Sequence, residues 1–304
     1  MPFKVREKKI VPKVQGCDPL QCEDVIVECS HAIALFDGHS GRIKEIEGVR
    51  AGRYVALIAG EGLANFNNKI AQGHFKNKTT WSTLPSLLVN HLTAHVRTTL
   101  TLRGYLDGRF DVNDLPGWVG EVLYSVEGED GELFEQIVRL GDPHLKIDND
   151  IVFDPHLAVD RKKEELRSKI LKKLCDEFGV DPHTFFADDP TKEVMRVLTQ
   201  EWQRKHYVNS EDKTYGYAVI CDKDIPDSLI EVINVPRDAR RVTFTSDGCP
   251  LEAITHSLTS TEKNFRRLRR EDPLCYLRHK EVRGQADPCW PYTDDWSYIS
   301  MERV

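Results

Sequence analysis

The chain has 304 residues and a formal net charge of −7; 40% of its residues are hydrophobic and 30% are charged. This balance predicts a globular protein with a substantial core and a well-solvated surface. The negative charge argues against general nucleic-acid binding, which needs a dense cationic surface. The longest apolar runs, such as residues 32–36 and 54–59, are far shorter than the roughly 20 residues that cross a bilayer.

The first residues, MPFKVREKKIVPKV, are basic but lack the apolar middle of a secretory signal, so we expect a cytoplasmic protein. We expect residues 1–304 to form a single domain, in which residues 1–12 are a candidate flexible segment. Eight cysteines without any CxxC pair favour free thiols over disulfides or a zinc site. The sequence predicts no nucleic-acid partner and no membrane partner, and it leaves the oligomeric state open.

The pattern of apolar residues predicts strand hairpins that bracket helices. Residues 24–38 and 118–141 each contain two short apolar runs around a turn, which is typical of a β-hairpin. Three- and four-residue apolar spacing or composition predicts helices over residues 48–66, 84–100, 160–178, 259–272 and a segment beginning at Thr191. Further strands are predicted over residues 215–221, 229–235, 241–246 and 297–301. This order favours an α+β fold with stacked antiparallel sheets between helical layers.

Acidic residues stand at the ends of several apolar strands. Asp37-Gly38 and Asp247-Gly248 each end a strand, Asp294-Asp295 precedes the last strand, and Glu23-Asp24 opens the first hairpin. Rigid strand ends can hold carboxylates at the rim of a core, and glycine allows a sharp turn that exposes a carbonyl oxygen. Such oxygen ligands suit hard cations such as Mg²⁺ and Mn²⁺. A single Asp-Gly pair is more often an ordinary turn, so the prediction depends on all four motifs together.

The four motifs resemble those of the metal-dependent protein phosphatase type 2C family, in particular its compact prokaryotic-type members. Glu23-Asp24 looks like the Glu-Asp block of that family, and residues 36–41 (FDGHSG) are close to its Asp-Gly-His-Gly-Gly signature. Residues 245–248 (TSDG) resemble its later Ser-Asp-Gly block, and residues 294–299 (DDWSYI) resemble its terminal strand.

This resemblance implies an antiparallel β-sandwich flanked by α-helices on both faces, in four layers. It also implies a serine/threonine phosphatase that hydrolyses phosphomonoesters on a phosphorylated protein substrate, with two Mg²⁺ or Mn²⁺ ions activating a water. Carried over to this sequence, the metal ligands would be Glu23, Asp37, Gly38, Asp247 and Asp294. Asp24 would orient coordinated water, and His39 would act as general acid for the leaving alkoxide.

Two features depart from the family pattern. The arginine that commonly grips the phosphate just before the Glu-Asp block is absent, and Lys13 is the nearest upstream cation that could replace it. The central Gly-Asp element has two counterparts, Gly120-Glu121 and Gly141-Asp142, and either could line a third metal position or simply close a turn. We favour the turn for both.

Three alternatives remain open at the level of sequence. A catalytically silent member of the same fold would act as a binding or regulatory module. An enzyme for small phosphoesters would use the same two-metal centre. In an unrelated sheet protein the Asp-Gly pairs would be ordinary turns, and this last alternative fails if Asp37, Asp247 and Asp294 converge in space.

Overall fold

The computed structural model describes residues 2–13, 18, 21–40, 43–106, 116–152, 165–166, 168–170, 172–173, 176–177, 179, 207–212, 215–221, 223–272 and 295–304. In chain order the strands are β1 (Phe3–Val11), β2 (Val25–Glu28), β3 (Ala32–His39), β4 (Glu45–Ile46), β5 (Val49–Arg50), β6 (Gly117–Glu127), β7 (Leu133–Leu140), β8 (His144–Ile147), β9 (Asp150–Val152), β10 (Glu231–Asn234), β11 (Arg241–Thr245) and β12 (Trp296–Arg303). The long helices are α1 (Ala51–Ala71), α2 (Leu84–Leu102) and α3 (Leu258–Glu271).

The strands form two five-stranded antiparallel sheets. Sheet A has the order β1-β12-β11-β8-β9, and sheet B has the order β10-β7-β6-β3-β2. Two hairpins, β2-β3 and β6-β7, supply four of the five strands of sheet B. Both hairpins were predicted from the apolar runs and the turns between them.

Alternation along each strand separates two hydrophobic layers. In β3, Ile33 and Leu35 join a cluster that also contains Phe244 and Ile299 of sheet A, so these side chains fill the space between the sheets. The alternate residues of β3, such as Phe36, pack instead against α1 and α2. On the outer face of sheet A, the buried side of α3 contacts the start of β12.

The layer order is therefore helices, sheet, sheet and helix, as predicted for an α+β sandwich with helices on both faces. The start of α3 is capped by Ser257, whose side chain accepts a hydrogen bond from the Ser260 amide. Among the described residues, no helix combines the length and apolar character needed to span a membrane. Cys22, Cys29, Cys221 and Cys249 are free thiols, as predicted.

A small separate hairpin, β4-β5, lies between β3 and α1. Glu47 and Gly48 at its tip both have positive φ angles, 51° and 81°, which is the backbone geometry of a tight two-residue hairpin turn. The buried Ile46 joins the core beneath α1 and holds the hairpin against the fold. The hairpin ends at Arg50, which is also the residue that precedes the first turn of α1.

Three expectations need correction. Residues 1–12 were a candidate flexible segment, but Phe3–Val11 form edge strand β1 and pair with β12 along its length. The predicted strand over residues 215–221 has only isolated bridges, at Tyr217 and Ile220, among the residues described there. Glu121 closes no turn, since it lies within β6.

Other predictions fall partly or wholly outside the described residues. In the predicted helix 160–178, the described residues from 165 to 177 are helical. The predicted helix that begins at Thr191 lies outside the described part of the chain. Gly141, by contrast, follows the end of β7 with a φ of 77°, which fits the predicted turn.

Candidate active site at one end of the sandwich

The predicted acidic residues lie at strand ends that meet at one end of the space between the sheets. Asp24 directly precedes β2, and Asp37 lies near the end of β3. In sheet A, the backbone of Ser246, just before Asp247, hydrogen-bonds to Ser297 at the start of β12 with an N···O distance of 3.1 Å. Alternation places Asp24, Asp37 and Ser297 on the faces that point between the sheets.

Asp24 is the most deeply buried carboxylate at this end, with a relative exposure of 0%. Neither of its oxygens has a hydrogen bond of ordinary geometry to any residue that the structure describes. Burial raises the pKa of Asp24, and the charges of Asp295 and Asp247 raise it further, while the hydroxyl groups of Ser297 and Ser246 lower it. These electrostatic contacts join the strand ends of both sheets into one acidic environment.

The thiol of Cys22 is affected by the same acidic residues. Burial raises its pKa most, and the charges of Asp24, Asp295 and Asp37 add to the effect. Asp37 and Asp247 thus both act on groups at this end of the sandwich. Because the pKa of Cys22 is raised, the thiol stays protonated and is a packing residue, with no nucleophilic role.

Asp295 connects the last strand to the chain before β2. One of its carboxylate oxygens accepts a hydrogen bond from the Lys13 amide and the other accepts one from the Glu23 amide, each at 2.9 Å. Asp295 therefore fixes the backbone position from which Glu23 extends its side chain. Asp294, the neighbour that the resemblance assigns to the metal set, lies outside the described residues.

The Glu23 carboxylate is surrounded by polar partners. Its Oε1 accepts a short hydrogen bond from the Ser40 hydroxyl, which in turn accepts a bond from the Gly52 amide at 3.2 Å. Its Oε2 lies 3.4 Å from the Lys13 ammonium and 3.9 Å from the Arg50 guanidinium. The side chain of Glu23 is only 8% exposed, so a charged carboxylate here requires these partners.

Gly38 and Gly52 allow the backbone segments around the site to pack closely against one another. A Cβ atom at Gly38 would lie 2.5 Å from the Gly52 carbonyl oxygen and 2.6 Å from the Glu23 carbonyl oxygen. A Cβ atom at Gly52 would lie 2.6 Å from Glu23 Oε1 and 2.7 Å from the His39 backbone. The end of β3, the start of α1 and Glu23 can approach this closely only because both residues are glycine.

His39 is the last residue of β3 and lies opposite Gly117 in β6. Its ring is directed toward that glycine, since a Cβ atom there would lie 3.3 Å from His39 Cε1. The ring is partly exposed at the same strand end as Asp37.

The donor set fits a hard divalent cation in its chemistry. Glu23, Asp24, Asp37 and Asp247 offer oxygen atoms, which Mg²⁺ and Mn²⁺ prefer, and a bound cation would offset the charge that is buried at Asp24. No three acidic, histidine or cysteine side chains within the described ranges are arranged closely enough to hold a metal ion as they stand.

Sequence reasoning missed three residues at this end of the fold. Ser40 follows the FDGH motif directly, so its position beside Asp37 and His39 was the available signal. Asp295 was quoted with Asp294 but given no role. Arg50 had no signal in the sequence, because only hairpin β4-β5 carries it to Glu23.

Solved structures similar to this chain include phosphatases of the type that the four motifs resemble. A PPM Ser-Thr phosphatase from Mycobacterium smegmatis, solved in complex with cacodylate, is 12% identical, covers 99% of both chains and has a TM-score of 0.44. Serine-threonine phosphatase 2C from Toxoplasma gondii is 11% identical over 100% of this chain and 98% of its own, with a TM-score of 0.43.

The photosystem II phosphatase PBCP is 12% identical over 99% of this chain and 98% of its own, with a TM-score of 0.47. No family model matches the sequence, and no curated protein sequence matches it.

Proposed function

We propose that this chain is a metal-dependent serine/threonine protein phosphatase. The observation that carries the proposal is the common acidic environment of Asp24, Asp37 and Asp247 at one end of the sandwich, with a fully buried carboxylate at Asp24. Buried carboxylates that repel one another cost stability unless they take up a proton or a cation offsets their charge. A site kept in this form therefore favours cation binding over a purely structural role.

The acidic residues have two proposed roles, metal binding and orientation of the water. Glu23, Asp37 and Asp247 would hold two Mg²⁺ or Mn²⁺ ions, together with the Gly38 carbonyl oxygen and Asp294. When bound, these ions supply an activated water and neutralise charge on the phosphoryl oxygens. Asp24 would accept a hydrogen bond from that water and orient it, since its carboxylate is fully buried beside Asp247 and Asp295.

At the other side of the scissile bond, His39 would donate a proton to the leaving oxygen. Lys13, whose side chain is 26% exposed and whose ammonium group lies beside Glu23, would bind the phosphate group of the substrate. No covalent intermediate on the protein is required. A phosphorylated protein is the proposed substrate.

Hydrolysis of p-nitrophenyl phosphate in Mn²⁺, in Mg²⁺ and in chelator tests the proposal directly. We expect turnover that depends on the metal, and a loss of about 100-fold or more in Asp37→Asn and in Asp247→Asn. Asp238→Asn is the matched control, since Asp238 is exposed and precedes the start of β11, whereas Asp247 follows its end. It should retain the activity of the parent.

The outcomes separate the alternatives. Metal binding by calorimetry without turnover of any phosphoester would favour a silent binding module. Turnover of aryl phosphates combined with inactivity on phosphoserine and phosphothreonine peptides would favour a small-molecule phosphoesterase. Turnover that persists in both variants would show that these aspartates are not metal ligands and would overturn the proposal.

A further inference from the structure

Arg50 occupies an unusual place beside the candidate site. It ends hairpin β4-β5 and immediately precedes the first residue of α1. Its backbone is extended, with φ −56° and ψ 136°, and its side chain does not cap the helix. The guanidinium group instead extends toward Glu23, with Nη1 at 3.9 Å from Oε2.

The contact with Glu23 leaves most of the donors of Arg50 available. A guanidinium group carries five N–H donors, and 3.9 Å exceeds the length of a hydrogen bond. Within the described part of the chain, the side chain of Arg50 has no hydrogen bond, and the contact with Glu23 is its one ion pair. Arg53, one turn further along α1, differs sharply, because it donates to the carbonyl oxygens of Cys22 and Asp24 at 2.9 and 3.0 Å.

The carboxylate of Glu23 is more deeply buried than the two cations beside it. The side chain of Glu23 is 8% exposed, while those of Lys13 and Arg50 are 26% and 35% exposed. Both cations approach the same oxygen, Oε2, so they lie between the buried carboxylate and the solvent. A ligand that reaches the acidic strand ends from this side meets two positive charges first.

We propose that Arg50 is a substrate-binding residue that holds the phosphate group of the ligand, with Lys13 at its side. This inference rests on the proposed function and extends it to a residue delivered by hairpin β4-β5. If Glu23 coordinates a divalent cation, the metal offsets its charge, and the nearby guanidinium can then pair with an anionic ligand. The planar fork of arginine matches two oxygens of a phosphate group, which an ammonium group cannot do.

The test compares the parent protein with Arg50→Ala, Arg50→Lys and Arg103→Ala. Arg103 is the matched control, because its guanidinium pairs with Glu47 at the tip of the same hairpin and not with Glu23. Each protein is titrated with inorganic phosphate by calorimetry, in Mg²⁺ and in chelator, and KM and kcat are measured for p-nitrophenyl phosphate. Thermal unfolding checks that the hairpin remains folded.

For Arg50→Ala we expect KM and the dissociation constant for phosphate to rise roughly tenfold, with kcat changed less than about threefold. Arg50→Lys should recover part of this loss, and Arg103→Ala should bind phosphate like the parent. Equal phosphate binding by Arg50→Ala and the parent would overturn the inference, as would an equal loss in Arg103→Ala.

The two proposals fail separately. If the parent hydrolyses phosphoesters but Arg50→Ala matches it in every measurement, the hydrolase stands and the role of Arg50 is wrong. If no protein shows turnover but phosphate binding still weakens in Arg50→Ala alone, the phosphate site stands and the hydrolase is wrong. A parent that binds no phosphate in Mg²⁺ or in chelator also overturns the inference.

Discussion

Gly38 is the residue at which three parts of the candidate site come closest. The carbonyl groups of Gly52 and Glu23 both lie where a Cβ atom of residue 38 would be, at 2.5 and 2.6 Å. Both obstacles are backbone atoms, which cannot turn aside as a side chain can. An added methyl group must therefore move the start of α1 or the segment that carries Glu23.

We predict that Gly38→Ala lowers the free energy of unfolding by about 2 kcal/mol and disrupts metal-dependent turnover, because overpacking displaces the ligands. Denaturation in urea and the p-nitrophenyl phosphate assay measure the two effects. Gly60→Ala is the control within α1, since its Cβ would meet only the Val27 side chain, at 3.0 Å. Comparable stability and activity in Gly38→Ala and the parent would contradict the close approach of these backbones.

Single residues also show where inference from sequence ends. Asp37 and Asp247 were found because each follows an apolar strand and precedes glycine, a local pattern that survives in the sequence. Asp295 acts through bonds to Lys13 and Glu23, more than 270 positions away in the chain, and no local pattern encodes such a pairing. The position of Asp294 relative to Asp37 and Asp247 stays a prediction.

At the scale of elements, β1 shows why an edge strand is easily missed. Its sequence, FKVREKKIV, is rich in basic residues and was interpreted as a candidate flexible segment. An edge strand has one partner, here β12, and exposed lysine and arginine side chains on such a strand discourage pairing with other molecules. The charges that weakened the strand signal are thus compatible with the position of β1 in the sheet.

Phe3 anchors β1 in the core between the sheets. Its side chain is 1% exposed, and the Arg303 guanidinium lies 4.5 Å from the centre of its ring. We predict that Phe3→Ala lowers the free energy of unfolding by about 3 kcal/mol, through lost burial and the cavity left behind. Lys4→Ala, on the exposed face of the same strand, should change it by less than about 0.5 kcal/mol.

Urea denaturation of both variants measures the difference. Equal stability of Phe3→Ala and the parent would mean that β1 is not docked in solution and that the N-terminal segment is flexible after all.

The hairpins β2-β3 and β6-β7 could be predicted from the sequence, because their turns and apolar runs are local signals. Residues 215–221 show the converse, since an apolar run there forms isolated bridges without a ladder.

At the scale of the whole molecule, the sandwich could be anticipated but its interior charges could not. Hairpins bracketing helices predicted stacked antiparallel sheets, and the layers follow that order. Between the sheets, however, Arg303 of sheet A pairs with Glu135 of sheet B at 2.7 Å. Arg139, which is 1% exposed, pairs with Glu231 and donates to the Val152 carbonyl oxygen of sheet A. Such pairs depend on the register of distant strands, which the sequence does not show.

Burial of histidine links the whole fold to pH. Burial lowers the pKa of His31, His91, His144 and His256, and His144 shows the largest effect. Its side chain lies in β8 opposite Thr245, and burial together with the charge of Arg139 lowers the pKa of His144 to about 4, from an ordinary 6.5. The folded protein therefore holds this imidazole neutral at pH values where the unfolded chain protonates it.

The sign of the effect follows from proton uptake. Above about pH 6.5 His144 is neutral in both the folded and the unfolded protein. Between pH 6.5 and 4 the unfolded chain binds the additional proton, so the free energy of unfolding decreases as the pH decreases. Over this range we predict that the free energy of unfolding falls by about 3 kcal/mol from His144 alone.

His144→Leu, which cannot titrate, should abolish this pH-dependent contribution, so the difference in unfolding free energy between the parent and the variant should shrink or reverse as the pH falls. Urea unfolding of both proteins at about pH 7 and about pH 4 measures it. Because the other three histidines are present in both proteins, their contributions cancel in the comparison, and a pH-independent difference would show that His144 is not held neutral by the fold.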